Sequence, residues 1–330
     1  MRKSKKYKRK RRYLFLIVIL GITLTTSTYA WFTVNRVISV ESLNVKVEAE
    51  GGLEISVDGT NWKTSVSSTE IKEANSTYPT SKNQLPSKFK PVSTVGEIDG
   101  TTGHMNMYLG TVENDSTGYY TLTSSKETDV DSIEEGNYIT FDLFLKTPSP
   151  STIYLTDASG VTYVGEKSHG IENAIRYAFI DEGTTELGSS LTTIQGLKNA
   201  TNNSVFIWEP NYDVHTTYGV SNAKNTYGIT TTTENANALS YDGIKNEIKL
   251  VDRVYIQNAL KTKHPTLFDT VNVDLYTKTS FEDYKSIMDL QAGITKIRVY
   301  IWLEGQDVDC ENNAAAGNIE FKFQFSLNPA

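Results

Sequence analysis

The stretch Ile319-Glu320-Phe321-Lys322-Phe323-Gln324-Phe325-Ser326-Leu327 alternates apolar and polar residues without a break. Side chains of an extended chain point to opposite faces in turn, so Ile319, Phe321, Phe323, Phe325 and Leu327 share one buried face. The pattern recurs upstream. Ile297, Val299, Ile301 and Leu303 alternate with Lys296, Arg298, Tyr300 and Trp302, and Ile139, Phe141, Leu143 and Leu145 repeat the period. So do Leu53, Ile55, Val57 and Ile175, Tyr177, Phe179, with shorter candidates at Met105–Leu109, Tyr119–Thr123, Thr152–Leu155 and Val205–Trp208. Turn signals stand between them at Asp58-Gly59, Pro148 with Pro150, Ser159-Gly160 and Glu209-Pro210-Asn211. Many strands with little helical periodicity predict an all-β fold, an antiparallel β-sandwich of jelly-roll type.

Two polar stretches interrupt the rhythm. Residues 60–104 are rich in Ser, Thr, Asn, Lys and Pro and read as a long surface excursion. Residues 211–293 include Ile248–Ala259 and Phe281–Leu290, where helical spacing is expected. In the second, Phe281, Tyr284, Ile287 and Met288 suit a short amphipathic helix. Both stretches read as insertions, with helices as side elaborations, in one domain spanning residues 43–330.

The N-terminus has a different character. Residues 2–12 hold nine Lys and Arg, an apolar run follows from Leu14 to Leu24, and small residues close on Thr28-Tyr29-Ala30 before Trp31. A basic block, a short apolar run and a small-x-small ending make up a secretory signal peptide over residues 1–30, cut by signal peptidase between Ala30 and Trp31. The apolar run has 11 residues, whereas a bilayer span needs about 20. The alternative is a signal anchor stretched through Gly21 and Thr23 to Val34, which Thr23, Thr25, Thr26, Ser27 and Thr28 weaken. Either way the chain leaves the cytoplasm, to be secreted into an extracellular matrix or held at the cell surface. The whole chain carries −7, so loss of nine positive charges leaves residues 31–330 at −16. A chain that acidic is a poor ligand for nucleic acid, and the basic block reads as a topology determinant. Cys310 is the single cysteine, so no internal disulfide forms and packing must supply the stability.

Ala30 running into Trp31-Phe32-Thr33, then a strand and Leu53-Glu54-Ile55-Ser56-Val57-Asp58-Gly59, resembles exported proteins with a SipW-type signal peptide. That family includes the TasA and camelysin (CalY) biofilm-matrix proteins of Gram-positive bacteria. Trp208-Glu209-Pro210-Asn211 and Trp302-Leu303-Glu304-Gly305-Gln306-Asp307, with the final aromatic strand, are similar to a clostridial branch of it. The resemblance covers roughly residues 14–60 and 294–330. It implies a jelly roll and head-to-tail assembly of identical copies into fibres by donation of an N-terminal strand, with other matrix subunits or glycans as further partners.

The residues support donation by a separate route. Phe32, Val34, Ile38 and Val40 lie on one face of an extended segment after Trp31, whereas Leu43, Val45, Val47 and Ala49 have the opposite phase. A one-residue phase change cannot continue on one sheet face without a bulge or a break. Residues 31–42 are therefore expected to serve as a donor strand for a neighbour; a bulged first strand and a disordered stalk are the alternatives.

Catalysis has no visible support, and no catalytic residue is assigned. His104, His169, His215 and His264 are far apart in sequence, no His-Glu-x-x-His pattern or Gly-x-Ser-x-Gly elbow occurs, and no cofactor is expected. The turn Asp307-Val308-Asp309-Cys310-Glu311 offers Asp307, Asp309 and Glu311 as weak calcium ligands, although Asn312 stands where an EF-hand needs glycine. An ordinary solvated hairpin loop is the favoured reading. The four tryptophans and 19 tyrosines could stack on a glycan, but aromatics in β-proteins more often fill cores and cross-strand pairs.

Overall fold

A computed structural model describes residues 38–39, 45–114, 120–129, 133–165, 168–198, 205–222, 224, 238–252, 260–275, 285–310 and 318–327. The strands are β1 (Ile38–Ser39), β2 (Val45–Glu50), β3 (Glu54–Ser56), β4 (Ser65–Ser67), β5 (Lys88–Phe89), β6 (Val92–Ser93), β7 (Met107–Asn114), β8 (Tyr120–Glu127), β9 (Ile139–Thr147) and β10 (Ser151–Leu155). They continue with β11 (Gly160–Val164), β12 (Ile175–Thr185), β13 (Val205–Trp208), β14 (Asp242–Ile244), β15 (Ile248–Asp252), β16 (Phe268–Thr270), β17 (Lys285–Leu290), β18 (Gly293–Leu303) and β19 (Asn318–Ser326).

Two sheets form the sandwich. The outer sheet runs β17-β10-β19-β2-β4, with β11 also paired to β19. Leu155 lies opposite Phe325 and Gly160 opposite Lys322, so β10 and β11 follow the same side of β19. The jog between them is sewn down by Thr156 N–H donating to Gln324 O (3.0 Å) and Gln324 N–H donating to Ser159 Oγ (2.9 Å). The middle sheet runs β13-β12-β18-β9-β3. The pairs in both sheets are antiparallel except β2 with β19, which run parallel with Val45 beside Phe321.

The period of two explains the core. Phe321, Phe323 and Phe325 of β19, with Val47 and Ala49 of β2, face Phe141, Leu143, Tyr177, Phe179, Val299 and Ile301 of the middle sheet. The Phe323 ring sits 5.5 Å from Phe179, 5.9 Å from Tyr177 and 6.4 Å from Phe141. Each such pair adds about 0.5–1.5 kcal/mol beyond the area it buries.

The middle sheet is covered on its other face as well. β15-β8-β7-β6 form a further sheet and β14-β16 a ribbon. Val92, Met105, Met107, Tyr241 and Val271 pack there against Ala178, Ile180, Tyr300 and Trp302. All eleven residues of β18 are consequently buried. The fold is all-β and sandwich-like, with a third layer laid over it.

Three expectations are corrected. Residues 60–104 are more than a surface excursion: Ser67 and Glu70 form a capping box on the helix α1 (Ser68–Glu73), and that helix buries Ile71 in the sandwich core. Tyr78, Leu85 and Val92 of the same stretch are also buried. Ile248–Asp252 is a strand rather than helix, and so is Lys285–Leu290. Both have a register irregularity, between Ile248 and Val251 in the pairing with β8 and opposite Ile153/Tyr154 in β17. A bulge adds one residue to the period of two, and the resulting spacing of three imitates a helix.

Candidate functional site

Of the residues predicted to act at the N-terminus, Ala30, Trp31, Phe32, Val34 and Val40 lie outside the described residues. Ile38 pairs with Phe89 and Ser39 with Lys88, which makes β1-β5 a ribbon separate from both sandwich sheets. Val45 then opens β2 in the outer sheet.

The acidic turn after β18 is the larger surprise. Asp307 and Asp309 are 3% and 1% exposed, so the solvated-loop reading is corrected; Glu311 lies outside the described residues. Arg176 is the second residue of β12, and since Tyr177 faces the core, its side chain takes the opposite face. Trp208 ends β13 opposite Tyr177, which brings Glu209 next to Arg176. The chain then turns and returns through His215. Arg176 Nη2 lies 2.8 Å from Glu209 Oε1 and 2.6 Å from Asp307 Oδ2. His215 Nδ1 lies 3.0 Å from Asp309 Oδ2, and its Nε2 lies 3.3 Å from Glu209 Oε1. Asp309 also accepts from Asn173 Nδ2 (2.9 Å), Thr216 N (3.1 Å) and Thr216 Oγ1 (2.5 Å). Gly170 makes room for this: its φ is 94°, and a Cβ there would meet Thr216 Cγ2 at 2.4 Å.

Electrostatics differ sharply over these few ångströms. Burial alone would push the His215 imidazolium down, but the charge of Asp307 and hydrogen bonds with Asp309 and Glu209 push it up to about 10. Burial, with the charges of Glu209 and Asp309, outweighs Arg176 and His215 and raises Asp307. Asp309 is held below the usual carboxylate range despite burial, because His215, Thr216 and Asn173 bond its charged form. Nearby Glu304, buried beneath Trp302 Nε1 (3.0 Å), is pushed up to about 7 mainly by desolvation.

A second charged group lies on the same face of the middle sheet. Asp142 Oδ2 accepts from Tyr78 Oη (2.8 Å) and pairs with Lys296 Nζ (3.1 Å), and its Oδ1 lies 3.6 Å from Arg298 Nη1. Arg298 Nη1 is 2.8 Å from His104 Nε2, and His104 Nδ1 is 2.8 Å from Asp129 Oδ2. A guanidinium can only donate, so Nε2 accepts and the ring proton on Nδ1 points at Asp129. Tyr78, His104, Asp142, Lys296 and Arg298, with Lys82, Glu182 and Lys198, line an open polar cleft of about 200 Å³.

Among the described residues, one atom each from Glu209, His215 and Asp307 fall within 4.8 Å of one another. Asp307 was the only one of the three that the sequence marked. Arg176 carried a signal in hindsight, a charge inside an otherwise apolar strand; in the sequence Glu209 reads as part of a turn and His215 as one of four scattered histidines, neither as a site residue. Comparison with family models, with curated proteins and with solved structures found no match.

Proposed function

We propose that this chain is an exported structural subunit of an extracellular matrix fibre or thin pilus. It polymerises head to tail by donating residues 31–42 to the sheet of the next copy, and a jelly-roll reading of the sandwich belongs to the same proposal. One observation carries it: the described backbone before Val45, Ile38–Ser39, enters neither sandwich sheet and is held by two residue pairs, Ile38 with Phe89 and Ser39 with Lys88. β2, by contrast, has neighbours on both sides. A ribbon of two such pairs releases at little cost, and strand addition to a neighbour gains main-chain hydrogen bonds and side-chain pockets. The contact is heterologous and need not close, so it builds a filament. Among the described residues β17 is the longest edge strand of the sandwich and is free to accept a partner on its outer side.

Electron microscopy of residues 31–330 with an authentic Trp31 start tests this. Regular thin filaments are expected, and the double change Phe32→Asp, Val34→Asp should abolish them while leaving a folded monomer. Filaments that persist in that variant would remove the donor segment from the mechanism. The polar cleft around Lys296 and Arg298 favours a second reading, a membrane-anchored monomeric adhesin or carbohydrate-binding module. That reading requires the Ala30–Trp31 bond to be intact on cells, which N-terminal sequencing of the surface protein decides.

A further inference from the structure

We infer that the ladder between β2 and β19 is a mechanical clamp, by which the sandwich resists tension applied along its N-terminal strand. Its use in a fibre rests on the function proposed above; the clamp itself is a property of one folded chain. Strand direction comes first. β2 and β19 are the first and last strands of the sandwich, and they run parallel, with Val45 opposite Phe321 and Glu50 opposite Ser326. The chain therefore enters β2 at one end of the pair and leaves β19 at the other. Tension between those ends pulls the strands lengthwise past each other, and all six residue pairs share the load. Antiparallel terminal strands enter and leave at the same end, and under tension they open one pair at a time.

Both strands are anchored against that motion. β2 lies between β19 and β4, where Lys46, Val47 and Glu48 pair with Ser67, Val66 and Ser65, and Ala49 N–H donates to Thr64 O (2.9 Å). β19 is held on its other side by β10 and β11. Side chains fix the register. Val47 and Ala49 are buried with Phe321, Phe323 and Phe325, whereas Lys46 and Glu50 are exposed and Glu48 pairs across the ladder with Lys322 (3.0 Å). A slip of one residue would turn charges into the phenylalanine core and Val47 out of it. The next slip that restores the faces is two residues, about 6.6 Å, and it leaves the pairs at the ends of the ladder unmade. Strands β3 to β18 all lie between Glu50 and Asn318, in the loop of chain that the clamp closes, so they are not stretched while the ladder holds. In a fibre, a neighbour holding residues 31–42 would draw on Val45 along the axis of β2, which is the direction the clamp resists.

Single-molecule force spectroscopy of the full chain tests this, with handles on two introduced cysteines; Cys310 is fully buried, so the introduced thiols are the accessible ones. Asn44→Cys with Asn328→Cys loads the ladder in shear. Asn44→Cys with Ala316→Cys loads the same two strands from one end. Both proteins keep the same fold, and only the direction of pulling differs between them. Forced unfolding follows the barrier along that direction, so the shear pair should rupture at a force about threefold higher. It should do so in one step that frees the whole intervening chain. Equal forces in the two directions, or smaller steps ahead of the main rupture in the shear pair, would overturn the clamp. Filaments without a force difference would keep the fibre and remove the clamp; a force difference without filaments would do the reverse.

Discussion

At the scale of single residues, the charges on the outer face of the middle sheet matter more to stability than those at the surface. Asp142 is fully buried, and desolvation alone would raise its pKa; Arg298, Lys296 and the Tyr78 hydroxyl hold it below the ordinary 3.8. A carboxyl depressed by folding contributes stability that is present above its unfolded value and is lost as pH falls through the folded value. Asp142→Asn should therefore cost about 3 kcal/mol at pH 7, where it strands buried cations. The cost should shrink below pH 3.8. Urea denaturation of both chains at pH 7 and pH 3 measures it, and an equal difference at the two pH values would contradict the linkage. Phe323→Ala should cost about 3–5 kcal/mol at either pH, because it leaves a cavity and no charge.

At the scale of elements, alternation was legible wherever one face of a strand meets the phenylalanine core, as in β9, β12, β18 and β19. It failed at β15 and β17, where bulges disturb the register and the spacing borrows a helical look. It said nothing of the second face of β18, where Tyr300 and Trp302, on the same face as Lys296 and Arg298, carry the third layer. The charged cluster was illegible for a further reason: Arg176 and Asp307 are 131 positions apart, and no local pattern links them. Gly293 marks where β18 begins, with φ at 141° and the Thr185 carbonyl oxygen 2.2 Å from where a Cβ would stand. Gly293→Ala should destabilise the chain by about 2 kcal/mol through strain and displacement of β12. Thermal unfolding shows it, and an unchanged melting temperature would mean that the strand entry can relax.

At the scale of the whole molecule, stability rests on three packed layers and not on cross-links. Cys310, the single cysteine, forms no disulfide within the chain and is fully buried. Reductant should leave the melting temperature unchanged, and a thiol reagent should label Cys310 only in denaturant. Labelling of the native chain would show that the turn after β18 opens on its own.

The parallel pairing of β2 with β19 has a consequence in time. β2 begins at Val45 and its partner ends at Ser326, so the first strand of the sheet has no neighbour on that side until every strand through β18 has been synthesised. Three of the phenylalanines that fill the sandwich arrive with that last partner. Contacts so distant in sequence form slowly, since the loop must close before any packing rewards it. A nascent chain of this design keeps its outer sheet incomplete until β19 has emerged.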